Sequence, residues 1–374
     1  MSEPSPDRFQ IERLWQPQIP TRDYPLKVAL IPAAGFFRIG VAVRHGFWRL
    51  FQRQAGIPIV SIGNLTVGGN SKTPFTLYLA VRLERLGYRV AIVSRGYASG
   101  KKKSKATLVA LGGELKLPPE DAGDEPAMMA RYFKGPIVIA RRRIHGIELL
   151  KKLGAPDVVL LDDGFQHVRL ARDVDLVLVS AEGGFGNGWM LPAGPMREPI
   201  RAARRANAVV IVSAGAGLPT ALTRSQTLRL ESATKVLHAS VRPRALVISE
   251  KGEWREMPMP LASRRVLAVS GLANPAGFYA MLRELDADLV GVLEYPDHHA
   301  YSAADWQAIV TAARNADLVV TTEKDLVKLE RFPFARDSLY ALRLEVAMND
   351  EDARALDELV VERIRSAAGD SVHT

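Results

Sequence analysis

Lys72 and Thr73 follow a run of mostly small residues, Thr66-Val67-Gly68-Gly69-Asn70-Ser71. That order of residue types can hold a phosphate. Backbone N–H groups of such a loop, and of a helix that starts behind it, point at anionic oxygens. A lysine there reaches β- and γ-phosphates, and a hydroxyl next to it ligates Mg²⁺. The strict spacing GxxxxGK[ST] puts its first glycine on Thr66 and its second on Ser71, so only Gly68-Gly69 and Lys72-Thr73 agree with it. Taken alone, the stretch reads equally as a Gly-rich turn with a solvated lysine. Asp162 and Asp163 close the apolar run Asp157–Asp163. A strand ending in an acid downstream of a phosphate loop is the Walker B arrangement, which holds Mg²⁺ directly or through water. Its plain alternative is an aspartate capping a turn. The second acid is then available for substrate or for orienting His167. Asp124 and Glu125, in Gly123–Pro126, precede a helix and read either as caps or as chemistry. Arg142 and Arg143 follow a short strand, Pro136–Ala140, where they could clamp phosphate or simply face water. The loop Tyr295–His299 holds Asp297, His298 and His299 together. With no third ligand at helical spacing, a proton-transfer or charge-orienting role is favoured over a metal site.

The elements that must position these residues follow from the apolar pattern. Ile57–Ile62 reads as a buried parallel strand and Phe75–Leu86 as the helix behind the loop. Arg89–Ser94 is a second strand, ending at Arg95-Gly96-Tyr97, and 107–118 reads as a hairpin. A helix is expected over Ala127–Phe133, and strands over Asp175–Ser180 and Ala208–Ser213. Between those two strands, Asn187–Pro199 carries three prolines and reads as a fixed, pocket-lining loop. A second series runs from Arg265–Ser270 through a helix at Pro275–Leu285, a strand at Leu289–Leu293, a helix at Ala303–Arg314 and a strand at Asp317–Thr321. Glu351–Ala367 is a final helix. Strands alternating with helices predict an α/β fold of P-loop NTPase type, doubly wound with a mostly parallel sheet. The expected division is a lead-in with a membrane-interface helix at 1–54 and a core at 55–234. A linker hairpin at 235–264 and a smaller α/β domain at 265–374 complete it.

Bulk properties narrow the partners. The net charge of +9 over 374 residues suits an anionic partner without choosing which. Absence of cysteine excludes disulfides, thiolate metal sites and cysteine nucleophiles. Near the start there is no signal-peptide cleavage pattern, and no repeat is visible. Pro25–Gln54 is two-faced: Phe36, Val43, Phe47 and Leu50 share one helical stripe, and Arg38, His45, Arg49 and Gln52 the opposite one. The apolar run Val28–Phe37, bracketed by Lys27 and Arg38, reads as too short to cross a bilayer. A helix lying in the membrane interface is expected instead, a packing helix with a solvated basic face being the alternative.

Seven segments in order, GNLTVGGNSKTP, SRGY, GDEP, DDGFQH, LPAGPMREP, YPDHH and TEKD, span residues 63 to 325. Together they resemble the tetraacyldisaccharide 4′-kinases of lipid A biosynthesis. The resemblance implies transfer of the ATP γ-phosphoryl group to the 4′-hydroxyl of a lipid A disaccharide 1-phosphate, at the cytoplasmic face of the bacterial inner membrane. ATP and Mg²⁺ are the implied cofactors; no nucleic acid and no obligate protein partner is expected. It implies Lys72 at the β/γ-phosphates, and Thr73, Asp162 and Asp163 at the metal and reacting centre. Asp124 is implied as the catalytic carboxylate, assisted by His298 from the second domain. Thr66–Ser71 and Tyr97 are implied at the nucleotide. Glu125, Arg142, Arg143 and His167 are implied toward substrate. If Asp124 and His298 come from different domains, closure would assemble the base around substrate. One departure stands out: the glycine usual before the lysine is Ser71 here, which would crowd the loop if positive φ were needed.

Overall fold

The computed structural model describes residues 14–15, 23–68, 71–96, 106–214, 220–250, 253–258, 261–333 and 338–370. In chain order these form α1 (Tyr24–Leu50), β1 (Ile59–Asn64), α2 (Lys72–Arg85), β2 (Val90–Ser94), β3 (Thr107–Leu111), β4 (Glu114–Leu115), α3 (Pro119–Ala122), α4 (Asp124–Met129), β5 (Ile137–Ile139), α5 (Arg143–Lys152), β6 (Val158–Asp162) and β7 (Val174–Ser180). They continue with β8 (Ala208–Ser213), α6 (Arg224–Glu231), β9 (Lys235–Glu250), β10 (Glu253–Met257), β11 (Arg265–Ser270), α7 (Ala276–Glu284), β12 (Asp288–Glu294), α8 (Ala303–Ala312), β13 (Leu318–Thr322), α9 (Glu323–Leu329), β14 (Leu339–Ala347) and α10 (Asp350–Asp370).

β1 is buried along its whole length and lies between β6 and β7, both parallel to it. Strands covered on both faces read as continuous apolar runs, which is why IVSI and VVLL are legible as sheet centre. Register places Ile62 opposite Asp162, so the phosphate-loop strand and the acid-bearing strand end side by side. α2 packs Phe75, Leu79 and Leu83, fully buried, against this sheet. Four-residue spacing puts those three on one face of the helix. Its first residue, Lys72, is thereby fixed at the carboxyl end of the strands, where ligands bind in open α/β sheets.

The mixed, mostly parallel sheet has 14 strands in the order β12-β11-β13-β14-β9-β8-β7-β1-β6-β2-β5-β3-β4, with β10 paired to β9. Residues 235–264, expected as a linker hairpin, hold β9 and β10, which pair antiparallel. β9 is 16 residues long and does more than link. Its first part pairs parallel with β8 and its later part antiparallel with β14, and Ser240 takes part in both ladders. β14, LYALRLEVA, has no counterpart among the strands expected from sequence.

α1 is 27 residues long and buries only Ala34 and His45. By length and composition it is long and apolar enough to cross a membrane. That corrects the expectation of a span too short to do so, because the apolar helix runs past Arg38 to Leu50. Core helices and signal sequences share such a length and composition, so these alone do not make it a crossing. The stripe of Phe36, Val43, Phe47 and Leu50 is exposed, Phe36 at 76% and Leu50 at 81%.

Candidate active site

The loop after β1 is held by its own polar groups and by a distant segment. Asn64 Nδ2 donates to the Gly68 carbonyl at 2.7 Å, and Lys72 Nζ donates to the same oxygen at 3.1 Å. Gly68 has φ +80°, a conformation that needs glycine. Ser71, by contrast, sits at φ −91°, so the position before the lysine makes no such demand here. The proline-rich segment pins the start of the loop: Val67 N donates to Pro195 O at 2.7 Å and Arg197 N to Leu65 O at 2.7 Å. Thr66 forms a bridge with Met196. Gly69, Asn70 and Tyr97 lie outside the described residues.

Lys72 is partly buried, its side chain 15% exposed, and loss of water lowers its pKa against the opposing pull of Asp163. Its Nζ is 3.9 Å from Asp163 Oδ1. Arg197 donates from Nη1 to both oxygens of Asp163, at 3.0 and 3.2 Å. Burial works to raise the Asp163 pKa, but the charges of Lys72 and Arg197 outweigh it and hold the carboxyl below its ordinary range. Asp163 has φ +51°, and non-glycine residues held there cluster at functional sites. Asp162 behaves oppositely. Among the described residues its carboxylate has long contacts, 3.4 Å from Thr76 Oγ1 and 3.4 Å from Ser94 Oγ. Burial, then the charges of Glu125 and Asp163, push its pKa up to about 7. Two neighbouring acids with opposite shifts are suited to different tasks.

A Mg²⁺ ion fits this donor set. Buried, weakly partnered Asp162 and the Thr73 hydroxyl offer hard oxygens, and such an ion needs one or two carboxylates plus phosphate oxygens. No cluster of three acidic or histidine ligands occurs among the described residues.

Asp124 opens α4 and Glu125 follows it. Asp124 Oδ2 accepts from His298 Nδ1 at 3.2 Å and from Lys328 Nζ at 3.0 Å. Burial would raise the Asp124 pKa; the bond to His298 and the charge of Lys328 outweigh it and hold it low. Glu125 acts electrostatically on Lys72 and Asp162. Two consecutive residues thus join the phosphate loop to the second half of the chain. His298 itself has φ +59° and faces Lys324 Nζ at 3.5 Å through Nε2, with Asp297 Oδ2 at 3.8 Å. Lys324 also donates to Asp297 at 2.5 Å. His299 turns away to Asp305 at 3.1 Å and stacks on Tyr295. α4 packs on α9, and Asp124 and His298 are in contact.

Other expected residues are placed elsewhere. Arg143 is 2% exposed and donates to the carbonyls of Ala140 and Asp162 at 2.8 and 2.9 Å. It braces the end of β6, and its charge acts on Asp162 and Asp163. Arg142 and His167 line a small separate cavity with Arg53, His145 and Arg169. Burial, then the surrounding arginines led by Arg143, lower the His167 pKa to about 4. Sequence reasoning misses Arg197, Lys324 and Lys328. Arg197 and Lys324 lie within the LPAGPMREP and TEKD segments, and Lys328 lies one helical turn beyond Lys324. A lysine pair four apart is the available signal.

What this arrangement can do is neutralise a polyphosphate and, through a carboxylate, accept a proton. The class that fold and site define is therefore the P-loop phosphotransferases. Residues 26–365 match the tetraacyldisaccharide-1-P 4′-kinase family, and the chain belongs to it. It is 36% identical to the tetraacyldisaccharide 4′-kinase of Syntrophus aciditrophicus (strain SB) over 96% of this chain and 99% of that one. Against the tetraacyldisaccharide 4′-kinase of Anaeromyxobacter dehalogenans (strain 2CP-C) identity is 42%, over 82% of this chain and 81% of the other. The crystal structure of LpxK from Aquifex aeolicus in complex with ATP superposes with a TM-score of 0.73 at 29% identity, covering 91% of this chain and 99% of that one.

Proposed function

We propose that the chain transfers the γ-phosphoryl group of ATP to the 4′-hydroxyl of tetraacyldisaccharide 1-phosphate, at the cytoplasmic face of a bacterial inner membrane. The hydroxyl oxygen forms a bond to the γ-phosphorus while the bond to the β,γ-bridging oxygen breaks, releasing ADP. The hydroxyl proton passes to Asp124. His298 and Lys328 anchor one oxygen of that carboxylate, so it approaches substrate in a fixed orientation. Lys72, with Arg197 behind Asp163, neutralises the transferring phosphoryl group, which is the larger part of catalysis in this chemistry. Thr73 and Asp162, with Asp163 beside them, would hold Mg²⁺, which would supply charge neutralisation for the phosphates. Residues 55–234 hold nucleotide, and 265–374 supply His298 and both lysines. Residues 24–50 seat the enzyme on lipid through the exposed apolar stripe.

The observation that supports this reading is the Asp124–His298 contact at 3.2 Å, a carboxylate–histidine pair of the kind a hydroxyl-activating base would need. A nucleotide switch has no use for such a group. Incubation with γ-labelled ATP and the disaccharide 1-phosphate should give the doubly phosphorylated lipid. Transfer of label only to water, or only to a soluble acceptor, would sink the proposal.

A further inference from the structure

Among the described residues, polar contacts of α1 and of the residues just past its end fall on the segment that follows Asp163. Gln52, just past its end, donates to Val168 O at 2.9 Å, and Arg53 N donates to Arg169 O at 2.9 Å. Arg169 also lies over the Trp48 ring at 4.2 Å. Both partners, Val168 and Arg169, belong to the segment that follows Asp163. His45 makes a further link. Arg205 Nη1 stands 2.8 Å from His45 Nδ1 and 2.9 Å from Glu198 Oε2, with Arg205 Nη2 3.1 Å from Glu198 Oε1. His45 Nδ1 is 3.4 Å from Glu198 Oε2, and Arg44 Nη2 lies 3.4 Å from His45 Nε2.

Glu198 is 2% exposed, and its Oε1 also accepts from Gln166 Nε2 at 3.2 Å. The same Gln166 nitrogen donates to Asn64 O at the end of β1, at 2.8 Å, and Gln166 Oε1 faces Arg197 at 3.5 Å. Arg197 and Glu198 are neighbours in the chain but point in opposite senses, one to Asp163 and the other to the helix. A buried carboxylate is expensive unless every oxygen is partnered. Here its partners are Arg205, which also donates to His45 of α1, and Gln166 in the DDGFQH turn.

We propose that Glu198, with Arg205 and His45, is a positioning device that fixes Arg197 and Asp163 according to how α1 is seated. It rests on the reading of α1 as the lipid-facing element and of Asp163 as part of the phosphoryl-transfer site. The lipid-bearing helix and the phosphate loop are joined by one chain of polar contacts: His45, Arg205, Glu198, Gln166, Arg197, Asp163. A helix displaced from its seat would take the His45 acceptor away from Arg205, shift Glu198 with it and loosen Arg197.

Two full-length variants test this, Glu198→Gln and His45→Phe, each with wild type as control. The assay uses ATP and acceptor in vesicles, with nucleotide affinity, vesicle cosedimentation and thermal midpoint measured on the same preparations. Both variants should lose about tenfold or more in kcat while nucleotide affinity stays within about threefold and vesicle binding is unchanged. His45→Asn, which restores a polar acceptor, should recover part of the lost rate. Should Glu198→Gln not fold, His45→Phe still decides, because Arg205 keeps its carboxylate partner there. Unchanged kcat in folded His45→Phe, or a loss of kcat that merely follows lost vesicle binding, overturns the coupling. Wild type that fails to phosphorylate the acceptor would instead overturn the proposed function.

Discussion

At the scale of single residues, charge state follows from the neighbours each group meets. Asp124 keeps a low pKa despite its burial because His298 and Lys328 share one of its oxygens. Its substitution by alanine should therefore lower kcat by ~10²–10⁴-fold, the usual contribution of a positioned base. ATP affinity, measured by calorimetry, should change little; equal losses in both would contradict the role as base. His167 provides a pH test. Its folded pKa of about 4 lies below the ordinary 6.5. The folded protein thus takes up that proton less readily than the unfolded chain. Its contribution is complete above pH 6.5 and is lost as pH falls toward 4. The ceiling is about 3 kcal/mol from that gap. His167→Gln should flatten the thermal midpoint between pH 6.5 and 4 relative to wild type; a parallel curve would show the histidine to be uninvolved.

At the scale of elements, two helices do unlike work. α2 is fixed by Phe75, Leu79 and Leu83 in the core, and so holds Lys72 still. α1 has almost no core contact and leaves its apolar stripe bare. Bare Phe and Leu of that extent mark a contact surface. Phe36→Asp combined with Phe47→Asp should strongly reduce cosedimentation with anionic vesicles, without lowering stability by more than about 1 kcal/mol, as for exposed sites. Full vesicle binding by the double variant would place the anchor elsewhere. α4 and α9 pack together, and their packing brings Asp124 to Lys328, 204 residues away in the chain.

At the scale of the whole molecule, the two halves share more than a linker. β9 hydrogen-bonds into both ladders, and Glu330 of the second half accepts from Arg131 at 2.8 Å, from Ser249 at 2.7 Å and from Trp254 Nε1 at 2.8 Å. Tyr132 donates to Glu323, whose burial pushes its pKa up to about 7. Halves joined in this way should unfold together. Glu330→Ala takes the carboxylate away from the part-buried Arg131 guanidinium and should lower stability by about 1–3 kcal/mol, the range for leaving a buried polar partner unsatisfied. Calorimetry should still give one transition. Two resolved transitions in wild type would show that the halves are independent.

Much of this is legible in the chain. Parallel strands buried on both faces write themselves as apolar runs, so β1, β2, β6, β8 and β11 can be read directly. The phosphate loop, the paired acids and the GDEP and YPDHH segments are local, and local chemistry survives in sequence. β9 and β14 are less visible, because alternating, charge-bearing strands at a junction look like linker. Arg197, Lys328, Glu198 and His45 owe their roles to partners far along the chain, 34 residues in the case of Arg197 and Asp163 and 204 in that of Lys328 and Asp124. Sequence by itself determined which residues could handle a phosphate and a proton. Only the tertiary structure decided which of them share an oxygen, since a pKa and a hydrogen bond depend on distance in space and not along the chain.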